Sequence, residues 1–245
     1  MLEVNNVCVS FRSERQEKIF GTARNQVLFD VSLKVSQGTC LGILGESGSG
    51  KSTLGRVICG LLKPDTGEVK IQDVSVYASR NGRKNLQKRL SVVFQDYTTS
   101  ANPRFRVKEI IAEGLAARER NQKIRLNRLE EINRLLELVG LNSSYANRYP
   151  HELSGGQLQR VCIARAVACQ PEIILFDEAI SSLDAHTQIQ IMDLLHDLKE
   201  KLGLTYIFIT HDLSVVNHFA DEIAVMYLGQ LIEKAPTEEL FDHPV

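Results

Sequence analysis

The chain has 245 residues, of which 43% are hydrophobic, and a formal net charge of −1 at pH 7. This length and composition predict a globular protein with one α/β domain and a smaller insertion, and the scattered basic residues make nucleic acid a poor expectation for a partner. No apolar run approaches the ~20 residues of a spanning helix and the N-terminus lacks the layout of a signal peptide, so we expect membrane association only through partner proteins.

The N-terminal part of the chain has the alternating pattern of half-buried β-strands. Apolar and polar residues alternate at positions 2–4 and again at 27–35. Between these strands, residues 12–26 are polar and include Gly21, which predicts an exposed hairpin loop.

A strand, a glycine-rich turn and a helix are predicted next. The strand covers Cys40–Leu44, the helix begins at Ser52, and Pro64 marks its end. One face of this helix collects Leu54, Val57, Ile58, Leu61 and Leu62.

From about residue 103 to residue 152 the apolar residues recur with the period of an α-helix. This segment predicts a helical insertion, with Gly140 as the C-cap of its second helix. The first apolar stripe consists of Val107, Ile110, Ile111 and Leu115, and the second of Leu129, Ile132, Leu135, Leu136 and Val139.

Helices and strands alternate in the last third of the chain. We predict a helix after Gly155, a buried strand at 173–176, a helix at 188–202 and a strand at 206–210. Such alternation predicts a mixed, partly parallel sheet flanked by helices. The predicted fold class is therefore α/β, with an antiparallel β subdomain and a helical insertion.

The five cysteines predict reduced thiols in an intracellular chain. They form no C-x-x-C pair and no metal-ligand cluster, and each is expected to act as a small core hydrophobe. They are Cys8, Cys40, Cys59, Cys162 and Cys169.

The strongest chemical signal is the segment GESGSGKST at residues 45–53, which fits G-x-x-x-x-G-K-[ST] between a predicted strand and a predicted helix. Glycines let backbone N–H groups surround phosphates, Lys51 reaches the β- and γ-phosphates, and the Ser52 hydroxyl can bind Mg²⁺. The alternative, a flexible turn beside a chance lysine, is disfavoured by the strand and helix on either side. We predict ATP binding by Gly45, Ser47, Gly48, Ser49, Gly50, Lys51, Ser52 and Thr53.

A second, acidic site is predicted where the apolar strand IILF ends in Asp177 and Glu178. Open α/β sheets bind ligands at the carboxyl ends of their strands. Strand alternation would direct the two side chains differently, so Asp177 can face Mg²⁺, through water, while Glu178 polarises the water that attacks the γ-phosphate. Without the phosphate loop, two solvated carboxylates would be the better interpretation.

The segment LSGGQ at residues 153–157 resembles the signature of ABC ATPases, and it lies between the phosphate loop and the acidic strand as in that family. The resemblance implies an ATPase core at 1–97 and 156–245, and a helical subdomain at 98–155 that ends in the signature. It also implies that Ser154, Gly155, Gly156 and Gln157 bind nucleotide.

Further positions resemble other elements of this family. Gln95 matches the Q-loop and is implied as a magnesium ligand, Asp184 matches the D-loop, and His211 matches the switch histidine. Phe11 stands where the family places an aromatic residue on adenine, although simple packing is an equal alternative. The resemblance implies Glu178, His211, Lys51 and Gln95 as the catalytic residues.

In ABC ATPases the signature completes the ATP site of a facing subunit. The resemblance therefore implies a second ABC ATPase subunit, two integral membrane permeases and a substrate-binding protein as partners, with ATP and Mg²⁺ as cofactors. It places the chain peripherally, on the cytoplasmic face of the bacterial cell membrane.

Two stretches, 94–104 and 149–152, resemble the group of ABC ATPases that imports peptides and nickel. Leu158 stands where the peptide branch commonly has arginine, which favours the nickel-import subunit, with oligopeptide, dipeptide or other metal-complex import as the alternatives. The histidines show no metal-ligand spacing, so a transported nickel ion would pass through other subunits. The short helical insertion disfavours an ABC ATPase that acts on DNA. A non-transport ABC ATPase stays open as an alternative, because such proteins share all these motifs.

Overall fold

The computed structural model describes residues 1–17, 22–95 and 100–242. The chain divides into two compact units. Unit 1 consists of Met1–Leu86 and Ile207–Val245, and unit 2 of Gln87–Tyr206.

Unit 1 contains a four-stranded antiparallel sheet with the order β2-β1-β4-β5. Its strands are β1 (Leu2–Glu17), β2 (Thr22–Val35), β4 (Thr66–Ile71) and β5 (Val74–Ser75). Leu2 pairs with Val35 on one side and with Ile71 on the other, and all three side chains are buried. The alternation of the N-terminal sequence therefore corresponds to one buried sheet face, as predicted.

The hairpin loop predicted at residues 12–26 is wrong in part, because both strands extend into this segment. Arg12 pairs with Arg24 and Glu17 with Thr22. Polar residues can form strands here because pairing satisfies the backbone while Arg12 and Arg24 remain in solvent. Arg24 also binds Asp65 at 2.7 Å. Residues 18–21, which include the predicted turn glycine, lie outside the described residues.

A second group of elements in unit 1 surrounds a parallel pair of strands. β3 (Cys40–Leu44) runs parallel to β9 (Glu222–Tyr227), and β10 (Gln230–Pro236) runs antiparallel to β9. These three strands have the order β10-β9-β3. The helices of this unit are α1 (Lys51–Ile58), α7 (Leu213–Phe219) and α8 (Thr237–Asp242).

Helix α1 is shorter than its predicted apolar stripe. Leu54, Val57 and Ile58 are fully buried, but the helix ends at Ile58, and Leu61 is 65% exposed. The helix ends before Pro64 because Gly60 adopts a positive φ of 73°. A right-handed helix cannot continue through a residue in this conformation.

Two elements cross the boundary between the units along the chain. Helix α2 (Arg80–Arg89) begins in unit 1, and strand β8 (Thr205–Thr210) ends there. Every residue of β8 is buried, which explains its continuous apolar character.

Unit 2 combines a parallel pair of strands with four long helices. β6 (Leu90–Phe94) pairs with β7 (Ile173–Asp177). The helices are α3 (Val107–Gln122), α4 (Arg128–Leu138), α5 (Gly155–Ala168) and α6 (Ala185–Leu202). The packing of α3 on α5 is close, since a Cβ at Gly114 would lie 2.3 Å from the carbonyl oxygen of Arg165.

The predicted end of the second insertion helix is confirmed. Gly140 has φ 71° and donates its N–H to Glu137 at 2.9 Å, while the N–H of Leu141 reaches Leu136 at 2.8 Å. This pair of bonds is a Schellman motif. One member of the predicted stripe is wrong: Leu129 is 68% exposed, because it lies in the first turn, before the helix packs.

The cysteines form no disulfide among the described residues. Cys40 and Cys162 are buried, while Cys8, Cys59 and Cys169 are partly buried. Burial raises the pKa of the Cys162 thiol, because the thiolate would lose hydration there.

Candidate nucleotide-binding site

In unit 1, β3 leads into the phosphate loop and α1 begins at Lys51. The N-cap is Gly50, in a left-handed conformation with φ 100°, and the first turn contains no acidic residue. Glycine offers no side chain to cap the first N–H groups of the helix, so the positive end of α1 is suited to an anion.

Lys51 lies at the centre of the loop and is only 4% exposed. Its Nζ donates to the carbonyl oxygens of Gly45 and Glu46 at 2.7 and 2.8 Å, and lies 3.5 Å from Ser49 Oγ. The loop thus folds around a buried ammonium group, which an anionic ligand would complement.

Two glycines of the loop are required by their surroundings. A Cβ at Gly45 would lie 2.2 Å from the carbonyl oxygen of Met226, and a Cβ at Gly50 would lie 2.8 Å from Leu28. Side chains at either position would push the loop off the neighbouring strands.

Phe11 and His211 also belong to unit 1. Phe11 lies in β1, pairs with Asn25 of β2 and is 41% exposed. His211 directly follows β8, and the next residue, Asp212, caps α7 by accepting the N–H of Ser214 at 2.8 Å. His211 therefore stands at a strand-to-helix junction whose backbone is fixed by a cap.

Unit 2 brings Gln95 together with the two acidic residues. β6 and β7 are parallel, and their register pairs Phe94 with Asp177. Gln95 and Glu178 directly follow these two strands, so all three predicted site residues lie at the carboxyl end of the strand pair. Residues 96–99, part of the stretch that resembles peptide and nickel importers, lie outside the described residues.

Glu178 leaves the strand through a strained turn. Its φ is 48°, in the left-handed region that few residues other than glycine adopt. Its carbonyl oxygen accepts the Ser181 hydroxyl at 2.9 Å, and Gln188 Nε2 holds the Ile180 carbonyl oxygen at 3.0 Å. β7 ends at Asp177, so Glu178 lies in this turn and the predicted strand alternation does not extend to it.

The signature forms the start of α5 in unit 2. Ser154 is the N-cap: its Oγ accepts the N–H of Gln157 at 3.3 Å, and Gln157 Oε1 accepts the N–H of Ser154 at 3.0 Å. This reciprocal pair is a capping box. Gln157 also donates to the Tyr145 hydroxyl at 3.1 Å, which ties the helix start to the preceding segment.

The start of α6 packs against the signature. Asp184 is its N-cap and accepts both the N–H and the hydroxyl of Thr187, at 3.0 and 2.7 Å. The hydrogen bond from the Thr187 side chain lowers the pKa of Asp184. A Cβ at Gly156 would lie 2.5 Å from Thr187 Cγ2, so Thr187 brings the signature and the D-loop residue together.

Sequence reasoning missed Thr187, Ser181 and Gln188, which hold the predicted site residues in place. The Asp-x-x-Thr spacing at the start of α6 is an N-cap pattern, and it was a usable signal for Thr187. Ser181 and Gln188 had no such signal, because their bonds depend on the strained turn.

Within residues 1–17, 22–95 and 100–242, no cluster of three or more His, Cys, Asp or Glu could hold a metal ion. In the same ranges, no helix has the length and apolar character needed to cross a bilayer.

The ABC transporter family model matches residues 28–181, more than half of the chain. The chain belongs to the ABC transporter family. It is an ATP-hydrolysing ABC ATPase, and the alternative of a chance glycine-rich turn is wrong.

The chain is also similar to individual ABC proteins. The oligopeptide transport ATP-binding protein OppF of Bacillus subtilis is 46% identical over 88% of this chain and 71% of that protein. The dipeptide transport ATP-binding protein DppF of Haemophilus influenzae is 41% identical over 89% of this chain and 67% of that protein. These relatives favour the peptide alternative and do not support the nickel interpretation.

The fold prediction is confirmed by solved ABC structures. The ATP-binding cassette MJ0796, in a dimeric post-hydrolysis state bound to ADP and Pi, matches with a TM-score of 0.83 and 30% identity, over 97% of this chain and 99% of that one. The fold class is α/β, with a mixed sheet flanked by helices and an antiparallel sheet.

Proposed function

We propose that this ABC ATPase couples ATP hydrolysis to the import of oligopeptides or dipeptides across a bacterial cell membrane. The observation that carries this proposal is the identity of 46% over 218 residues with an oligopeptide transport ATP-binding protein. The nickel interpretation rested mainly on Leu158, a single position on α5 that is buried at 4% exposure. At a buried position of this kind, packing determines the residue type, and the transported substrate does not.

The residues of unit 1 bind the nucleotide in this proposal. Lys51 exchanges its two carbonyl partners for phosphate oxygens, a stronger charge-assisted interaction. The N–H groups at the start of α1 bind the phosphates, and Phe11, exposed on β1, stacks on the adenine. His211 contacts the γ-phosphate from the carboxyl end of β8.

The residues of unit 2 act on the attacking water. Glu178 accepts its proton, and the turn that holds Glu178 in a left-handed conformation fixes the backbone from which the carboxylate projects. Gln95, one step beyond the paired residue Phe94, links the γ-phosphate to the helical segment at 98–155. The boundaries of that segment remain a prediction.

The donor set fits Mg²⁺. Ser52, Gln95 and Asp177 offer hydroxyl, amide and carboxylate oxygens, which are hard ligands, and Mg²⁺ in nucleotide sites is typically held by one or two protein groups plus phosphates and water. When bound, the ion would neutralise charge on the phosphates. These three residues would hold it.

The signature supports a composite site. The signature residues Ser154, Gly155, Gly156 and Gln157 form a capped helix start. In this proposal they bind the nucleotide that is held by the phosphate loop of a second ABC ATPase subunit. Two permeases and a substrate-binding protein complete the complex, with this chain bound peripherally on the cytoplasmic face of the membrane.

Uptake by the reconstituted complex tests the proposed substrate. The chain, its second ATPase, the permeases and the substrate-binding protein are assembled in liposomes and supplied with a radiolabelled oligopeptide or with ⁶³Ni²⁺. We expect ATP-dependent peptide uptake that is lost when this chain carries Lys51→Ala. Nickel uptake without peptide uptake would overturn the proposal.

A further inference from the structure

The turn between β9 and β10 in unit 1 is unusual for a hairpin. Its two central residues, Leu228 and Gly229, have φ angles of 44° and 81°. Tight hairpin turns require this conformation, but asparagine, aspartate or glycine normally occupies the first position. Leu228 is 68% exposed, so packing does not hold the strained residue in place, and the turn must be fixed by its backbone.

Hydrogen bonds of Gly229 provide that fixation. The N–H of Gly229 donates to the carbonyl oxygen of Ser49 in the phosphate loop at 3.0 Å, and the carbonyl oxygen of Gly229 accepts the N–H of Phe29 in β2 at 2.9 Å. Gly229 therefore connects the phosphate loop to β2 through a single residue.

The space around Gly229 admits no side chain. A Cβ at this position would lie 2.2 Å from the carbonyl oxygen of Val27 and 2.8 Å from the Phe29 ring. Gly229 Cα itself would lie 3.6 Å from a Cβ at Gly50, the N-cap of α1. The turn is thus pressed against the part of the loop where the helix begins.

The same hairpin also reaches the other end of the loop. Met226, the second-last residue of β9, lies so close to Gly45 that a Cβ there would meet the Met226 carbonyl oxygen at 2.2 Å. Within the loop, Ser49 donates its N–H to Glu46 at 3.1 Å. The hairpin therefore contacts Gly45 and Ser49, on either side of the segment that would surround the phosphates.

We propose that Gly229 is a positioning residue for the phosphate loop, and that its bond to Ser49 sets the affinity of this chain for ATP. The proposal rests on the proposed role of the loop in phosphate binding. The carbonyl of Ser49 and the N–H of Gly50 belong to one planar peptide unit and point in opposite directions. By holding the Ser49 carbonyl in place, Gly229 therefore also fixes the direction of the Gly50 N–H. A loop held in this way loses less entropy when it binds.

The first test compares two glycine-to-alanine variants that carry similar backbone strain. Gly229→Ala places a methyl group against β2 and displaces the turn from Ser49. Gly38→Ala is the matched control: Gly38 is in the same unit and has φ 76°, but nothing lies within 4 Å of the added Cβ. We expect ATP affinity to fall about tenfold in Gly229→Ala, the loss of roughly one hydrogen bond to phosphate, and to stay unchanged in Gly38→Ala.

Steady-state kinetics in the assembled complex separate positioning from general damage. Gly229→Ala should raise the KM for ATP while kcat at saturating ATP stays within about twofold, because Gly229 supports binding and touches no reacting atom. A fall in kcat with unchanged KM, or equal ATP affinities for Gly229→Ala and wild type, would overturn the proposal.

A second measurement on the wild-type chain covers the case in which Gly229→Ala does not fold. Amide exchange of the peptide that contains Gly229 should slow on addition of MgATP, while exchange around Gly38 stays constant. Equal exchange rates with and without MgATP would contradict the proposal. Normal ATP binding by Lys51→Ala would instead contradict the role of the loop itself, so the two failures are distinguishable.

Discussion

At the residue scale, Lys51 is the residue on which nucleotide binding depends most directly in the proposed function. It is buried, and its ammonium group is satisfied by Gly45 and Glu46 oxygens within its own loop. A buried ammonium without partners would be costly, so the loop geometry and the cation stabilise each other. In the proposed function, a bound triphosphate would replace these neutral acceptors with charged ones.

Lys51→Ala should weaken ATP binding about 10- to 100-fold, the range for lost charge-assisted hydrogen bonds. Titration of the purified chain with a fluorescent ATP analogue measures the affinity. Lys34→Ala is the control, because Lys34 is an exposed lysine of unit 1 that pairs with Glu3 at the surface. Equal affinities for Lys51→Ala and Lys34→Ala would contradict the assigned role of Lys51.

Sequence patterns predicted the residue types of the site better than the residues that hold them. The phosphate loop, Asp177 and Glu178 follow from motifs whose chemistry demands fixed spacing. The supports Ser181 and Gln188 act through the backbone of a turn in which Glu178 has φ 48°. Nothing in the local composition indicates that conformation, so no sequence rule could have found them.

At the element scale, helix starts organise the site. α1 begins at Gly50, which has no side chain to cap the helix, whereas α5 and α6 begin at Ser154 and Asp184, whose side chains cap them. The capped helices therefore keep their own ends satisfied until a ligand arrives. In the proposed complex that ligand is the nucleotide of the second ATPase.

Ser154→Arg should lower nucleotide occupancy at the partner's phosphate loop, because a bulky side chain would replace a small donor at the start of α5. Occupancy at the loop that contains Lys51 should be preserved. Ser154→Ala controls for the loss of the helix cap, since alanine removes the capping oxygen without adding bulk. Site-specific crosslinking of an azido-ATP in the assembled heterodimer reports both occupancies. Loss confined to the Lys51 site would contradict the composite site.

Several elements were not predicted because their sequences lack periodicity. β4 begins Thr66-Gly67-Glu68, and most side chains of β10 are exposed or half-buried, so neither shows a clear apolar alternation. They are strands because they pair with β1 and β9. The partner of β4 is distant in the chain, so a local window does not contain it. β10 instead pairs with the adjacent strand across a turn whose first residue, Leu228, is not a usual turn residue.

At the scale of the whole molecule, the proposed site residues are divided between the two compact units. Unit 1 contains the phosphate loop, Phe11 and His211, and unit 2 contains Gln95, the acidic residues and the signature. The family match across residues 28–181 covers the phosphate loop in unit 1 and the acidic strand in unit 2. Membership of the ABC family therefore rests on both parts of the ATPase.

Steady-state ATP hydrolysis by the assembled complex is the most direct test of the account. With Glu178→Gln in this chain, turnover at its own site should fall roughly 10²- to 10⁴-fold, the range for a lost general base, while ATP binding is retained. The substitution keeps the size of the side chain and removes only its ability to accept a proton. Glu239→Gln, at an exposed position on α8 and outside the proposed site, is the control for loss of a carboxylate and should leave hydrolysis near the wild-type rate. An unchanged rate for Glu178→Gln would contradict the assignment of Glu178 as the general base.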